Sequence, residues 1–298
     1  MQRTLRFFGT LFLVLHGALT GVAQDLESFT VSNLTATNAV LDNFVYGLEI
    51  QFTLDYTAKK GLVKDTEIAV YFTTDDGTPV ASHANGTTYR DPDNRLRVVS
   101  KLPKGGSGIS THRVLVPYYA IALPEGDYTL QVVPRLKKLL KDEVRELPVA
   151  YTGADTVTLE MPALRRVSLR ISGLSVEPTN LDGGSWDGTL GLGKEEAKLP
   201  DLQYRLYLEG VVARDEVFLS QVQDNVTEAT WAQPSASFYL APEDQLTLEI
   251  VDNDGLTDPN RIGQRRLRLA DLEAFAETPG LLPTFDRVKT VTVAAFFN

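Results

Sequence analysis

The chain has 298 residues, no cysteine, three histidines and a formal charge of −10. Without cysteine there are no disulfide staples, no thiolate catalysis and no cysteine-held zinc, and so few histidines argue against a histidine-rich transition-metal centre. The acidic balance argues against a nucleic-acid footprint and against unaided attraction to anionic lipid, and is compatible with cation binding.

Residues 1–23 open with the basic start Met1-Gln2-Arg3-Thr4-Leu5-Arg6, run through the mostly apolar Phe7 to Leu15, and end in Gly17-Ala18-Leu19-Thr20-Gly21-Val22-Ala23. A basic start, an apolar core too short to span a bilayer and small residues before a cut predict a secretory signal peptide; an uncleaved anchor is the other reading. Cleavage would remove two arginines and no acid, and would leave His83 and His112 as the only histidines. No later stretch approaches about 18 consecutive apolar residues, so the remainder is expected to be soluble and exported, to a periplasm, a cell surface or the medium. Roughly 275 residues accommodate two cores of about 100–150 residues each.

Residues 24–162 carry repeated alternation. Leu48, Ile50, Phe52, Leu54 and Tyr56 alternate with polar neighbours, and Ile68, Val70 and Phe72 keep the same spacing. A period of two turns one face towards a core. Asp75-Asp76-Gly77 predicts a hairpin turn. Further strand signals are Leu96–Val99, the stretch Val114–Ala122 broken by Pro117, and Tyr128–Val133 after the turn Pro124-Glu125-Gly126-Asp127. Short strands between Gly, Pro and Asp turns predict a β-sandwich of immunoglobulin-like architecture. The run Arg135-Leu136-Lys137-Lys138-Leu139-Leu140-Lys141 reads either as a short amphipathic helix or as a charged edge hairpin, where lysine blocks further pairing. The acids Asp142, Glu143 and Glu146 that follow it weigh against a membrane-binding role.

Met161-Pro162-Ala163 marks the expected boundary, and Val167–Ile171 opens a second alternating region over residues 163–298. The segment Gly188-Thr189-Leu190-Gly191-Leu192-Gly193-Lys194 matches the start of a phosphate-binding loop. Glu195 then replaces the Ser or Thr that would hold magnesium, and no hydrophobic parallel strand precedes it, so nucleotide binding is set aside. Trp186 and Trp231 read as core or loop-packing residues, with exposed insertion as the alternative.

Directly after the strand signal Leu246–Val251 comes Asp252-Asn253-Asp254-Gly255-Leu256-Thr257-Asp258-Pro259-Asn260, with three carboxylates and two amides in nine residues. Crowded carboxylates repel one another and persist when solvated or neutralised by a cation. Hard oxygen ligands suit calcium, which takes about 6–8 of them. The flanks are strand-like, and the glycine and glutamate positions of an EF-hand are missing. The other reading is a plain hairpin loop, since Asp, Asn and Gly are common turn formers.

This loop and its continuation Arg261-Ile262-Gly263 resemble the third calcium loop of C2-type domains. The resemblance runs from residue 165 to about 298 and includes Asn225–Trp231, Ser237–Leu240, the turn Ala241-Pro242-Glu243-Asp244 and Arg266–Leu272, which looks like that family's final strand and the start of its closing loop. It implies a C2-like β-sandwich over 163–298, which together with the immunoglobulin-like sandwich read over 24–162 makes an all-β chain of two β-sandwich domains. It also implies a first loop from Leu181 to Leu206, with Asp201 at the next strand's start and Asp187, or Asp182, within the loop. Asp252 and Asp254 match the paired positions of the third loop, and counting back from Ile262-Gly263 puts the last ligand on Asn260, not Asp258. The implied metal set is therefore Asp187, Asp201, Asp252, Asp254 and Asn260. The family's Asp-Pro-Tyr is replaced by Pro200-Asp201-Leu202, the first loop is long, and Asn260 is neutral, which favours one calcium ion over two or three.

No nucleophile-elbow or zinc-protease pattern is present, and a carboxylate pair for glycoside hydrolysis is not identifiable from sequence. The expected function is that of an exported, non-catalytic binding protein whose calcium ion bridges to phosphate or carboxylate on a ligand, a membrane surface or an envelope protein. The alternative is a metal-independent structural or assembly protein of the cell envelope.

Overall fold

The computed structural model describes residues 26–58, 66–84, 88–102, 107–139, 144–148, 150–151, 153, 155–180, 182–186, 199–209, 214–253 and 258–298. The proposed signal segment 1–23 lies outside them, as does the segment that resembles a phosphate-binding loop. The alternation read in the sequence is expressed as strands. In the first half these are β1 (Leu26–Asp42), β2 (Val45–Ala58), β3 (Thr66–Thr74), β4 (Arg97–Lys101), β5 (Ser107–Pro117), β6 (Gly126–Leu139), β7 (Val144–Pro148), β8 (Ala150–Tyr151) and β9 (Thr156–Met161). They form two sheets, ordered β5-β2-β1-β8 and β4-β3-β6-β7, with β9 also on β6. The short β8 runs parallel to β1; the other pairings are antiparallel.

Leu48, Ile50, Phe52, Leu54 and Tyr56 of β2 all point into the core, as do Ile68, Val70 and Phe72 of β3. The edges of the two sheets are joined by His112 on β5. Its ring is buried against Phe52 and lies between the hydroxyls of Ser100 on β4, 2.9 Å from Nδ1, and Ser110, 2.8 Å from Nε2. The predicted turn at Asp75-Asp76-Gly77 is present: Gly77 has φ 82°, and Asp76 Oδ1 accepts the Thr78 N–H at 2.9 Å. The ambiguous basic run resolves towards the hairpin, because residues up to Leu139 continue β6 and pair with β7.

In the second half the order is β10 (Arg165–Val176), β11 (Leu202–Leu208), β12 (Asp215–Leu219), β13 (Glu228–Ala229), β14 (Phe238–Leu240), β15 (Gln245–Asp252), β16 (Asn260–Arg268), helix α1 (Leu269–Glu277), β17 (Gly280–Leu282) and β18 (Val288–Phe297). Two sheets result, β12-β11-β15-β16 and β13-β10-β18-β17, with β14 also on β10. Among the described residues no strand pairs across Pro162. The segment expected to be a final strand and loop is instead the end of β16 and the first turn of α1, and two strands follow it. Asp271 explains the switch: its carboxylate accepts the Arg268 N–H at 2.8 Å, satisfying a donor at the helix start, while Leu272 turns into the core.

The halves meet on the outer face of the β12-β11-β15-β16 sheet. Residues 246–252 of β15 are all buried, including Thr247 and Glu249 on the face that alternation alone would leave wet. The β1–β2 hairpin reaches this surface with Asn43 and Phe44, both in the left-handed region at φ 46° and 68°. Such backbone costs on the order of 1 kcal/mol per non-glycine residue and persists where surroundings hold it. Here the Phe44 carbonyl accepts the Gln245 N–H at 3.0 Å, and the Arg266 guanidinium lies 3.9 Å over the Phe44 ring.

Candidate metal centre

The sheet register brings three of the five sequence-predicted residues to one end. Leu202, at the start of β11, pairs with Asp252, at the end of β15, which pairs in turn with Asn260, at the start of β16. Asp201, Asp252 and Asn260 therefore share one edge of one sheet. Asp187 and Asp254 lie outside the described residues. Asp258 is exposed just before β16.

Backbone hydrogen bonds organise this end. Asp252 is 0% exposed, and its Oδ1 accepts the Asp201 N–H at 2.7 Å. The Asp201 carbonyl accepts the Asn253 N–H at 2.9 Å, and its Oδ1 accepts the Asn225 N–H at 2.7 Å. Asn253 Nδ2 also donates to Gln203 Oε1 at 2.8 Å. The two bonds accepted by the Asp252 and Asp201 carboxylates are charge-assisted, short and about twice as strong as neutral ones. They tie the start of β11, the end of β15 and the segment around Asn225 into one unit. A buried carboxylate needs such donors or a cation, and Asp252 has at least one N–H aimed at it.

The first loop is less convergent. Asp182 is exposed, and its N–H donates to Asn180 Oδ1 at 3.0 Å. Asn180 orders this turn, accepting also from Gly184 N–H at 3.0 Å and donating through Nδ2 to Ser185 O at 2.9 Å. Among the described residues no three Asp, Glu or His side chains converge on one point. Both tryptophans are packing residues: Trp186 donates through Nε1 to Glu177 O at 3.0 Å, and Trp231 to Gln221 O at 2.9 Å, with its ring edge-on to Tyr204.

Sequence reading missed the supporting amides of Asn225 and Asn253. Asn225 has φ 53° and precedes Val226, whose N–H donates to Pro200 O at 3.0 Å. The only sequence signal was asparagine's tolerance of that backbone region. Comparison with models of known families and with curated proteins returns no match.

Proposed function

We propose that this chain is an exported, non-catalytic binding protein of two β-sandwich domains, immunoglobulin-like over 24–162 and C2-like over 163–298, whose second domain holds calcium at the Asp201–Asp252–Asn260 end. The observation that carries this is the register: two acids and an amide, 59 or fewer positions apart in sequence, meet where β11, β15 and β16 begin or end. In this reading Asp187 and Asp254 complete the ligand set from the adjoining loops. A calcium ion there would give an acidic protein a way to engage phosphate or carboxylate on a membrane surface or an envelope partner, which its own charge repels.

A second reading is favoured by the hydrogen bonds. Asp252 and Asp201 each take a backbone N–H at 2.7 Å, so both carboxylates already hold strand ends together. That use is sufficient for a metal-independent structural or assembly protein of the envelope. Melting the chain in millimolar-scale calcium, in magnesium and in chelator separates the two. Calcium at about 100 times its dissociation constant adds about 2.7 kcal/mol, and magnesium, which demands tighter octahedral geometry, adds less. Identical melting in calcium and chelator removes the first reading and leaves the second.

A further inference from the structure

Asp244 lies in the turn between β14 and β15, 1% exposed, at the place where the two halves meet. Its Oδ2 accepts the Ala241 N–H within its own turn at 2.8 Å, and its Oδ1 accepts the Tyr46 N–H from the other half, also at 2.8 Å. The adjacent Gln245 N–H donates to Phe44 O. One carboxylate thus seats the strained β1–β2 hairpin on the β14–β15 turn. Among the described residues no cation pairs with it.

The surroundings are short of positive charge. On the 3-10 turn Tyr118–Ala120, the Tyr119 hydroxyl feels the charges of Asp244 and of Asp215 on β12, and Tyr89 also feels Asp215. Burial pushes the Tyr89 and Tyr119 hydroxyls up, so neither supplies charge near neutrality. Arg266 on β16 is engaged over Phe44, and Glu243 is exposed beside Asp244 in the turn. At the rim of the junction His83 stacks on Tyr239 of β14 at 4.0 Å; burial first, then Arg166, holds its imidazole below the ordinary value.

We propose that Asp244 is a proton-operated clasp between the halves: with its carboxyl protonated the hairpin stays seated, and with it ionised the hairpin releases more readily. Burial drives this carboxyl up to about 7, against the downward pull of the Tyr46 and Ala241 N–H groups. Opening admits water and returns the group to the ordinary carboxylate range, near 3.9. Between those limits the closed form holds a proton that the open form lacks, so closure weakens as pH rises through the window and changes no further above about 7. One proton of linkage sets a ceiling of about tenfold in the open-to-closed ratio per pH unit. Release uncovers the turn around Asp244 and Gln245, and with it Phe44 and Tyr46. The inference does not rest on the calcium reading.

Amide hydrogen exchange on the full chain, corrected for the intrinsic effect of pH, tests this. Protection of the Tyr46 and Gln245 amides, relative to Ile50 and Ile250 within the sheets, is expected to fall by up to about tenfold per pH unit between about pH 5 and 7. In Asp244→Asn the slope should vanish, whatever the absolute protection. Should that variant fail to fold, the native chain still decides, since the Asp244 carboxyl carbon should titrate near 7. A pH-independent native junction, an unchanged slope in Asp244→Asn, or titration in the ordinary carboxylate range each overturns the clasp.

Discussion

Replacing Asp252 with alanine asks whether the acidic end of the second half is built for a metal or for the fold. The carboxylate is fully buried and accepts the Asp201 N–H at 2.7 Å. Removing it deletes a hydrogen bond to a charged group, worth about 1.5–3 kcal/mol, and leaves the amide without that acceptor. Truncating a residue that closes the β11–β15 end should therefore cost about 2–3 kcal/mol with chelator present. Asp201→Ala is the internal comparison. Its Oδ1 serves Asn225 N–H at a solvent-accessible position, where water can replace the lost acceptor, so about 1 kcal/mol or less is expected. Urea unfolding of the native chain and both variants in chelator measures these differences. Equal stability of Asp252→Ala and the native chain would refute the hydrogen-bond reasoning and leave Asp252 free to serve mainly as a ligand. Repeating the series in calcium then reads the metal contribution alone, which both variants should lose if the ion exists.

Three further outcomes are expected. His112 is held below the ordinary histidine value by burial, so the unfolded chain takes up a proton before the native one and this residue's contribution to stability falls as pH drops below about 6.5, while Asp244 acts with the opposite sign; His112→Gln should therefore gain stability relative to the native chain as pH is lowered through that range in paired urea unfolding, and a pH-independent difference between the two would refute this. In Gly263→Ala, a Cβ would stand 2.8 Å from Val288 Cγ2 and 3.1 Å from the Phe285 ring, overpacking that should cost about 1–3 kcal/mol; an unchanged melting temperature would show that the ring simply moves aside. The fragment 163–298 should fold, because its sheets take no strand from the first half, yet melt below the same region in the full chain, because it loses the Tyr46–Asp244 and Gln245–Phe44 hydrogen bonds and the Arg266–Phe44 contact; equal melting would mean that the junction contributes nothing.

The strands were legible because alternation reports one buried face, and Leu48 to Tyr56 obey it without exception. The same rule misjudged β15. Leu246-Thr247-Leu248-Glu249-Ile250 reads as half wet, yet Thr247 and Glu249 are buried as well, which no local pattern announces. Phe44 was equally silent, since a left-handed hairpin turn is expected to show glycine or asparagine at both centres and here only Asn43 conforms. Asp244 read as an ordinary turn acid because its partner, Tyr46 N–H, lies 198 positions away.

The acids themselves were plain in the sequence; what satisfies them was not. A carboxylate withdrawn from water needs a cation or aligned N–H donors, and the two solutions draw on the same residue types. Composition shows the acid but not the donor, because any non-proline backbone can supply it. At Asp252, Asp201 and Asp244 the donor is a main-chain amide from a distant segment. That shared solution means acid clusters in this chain do not by themselves specify a metal. It is also why stability in chelator, and not calcium affinity alone, is the measurement that separates a ligand from a structural tie at Asp252.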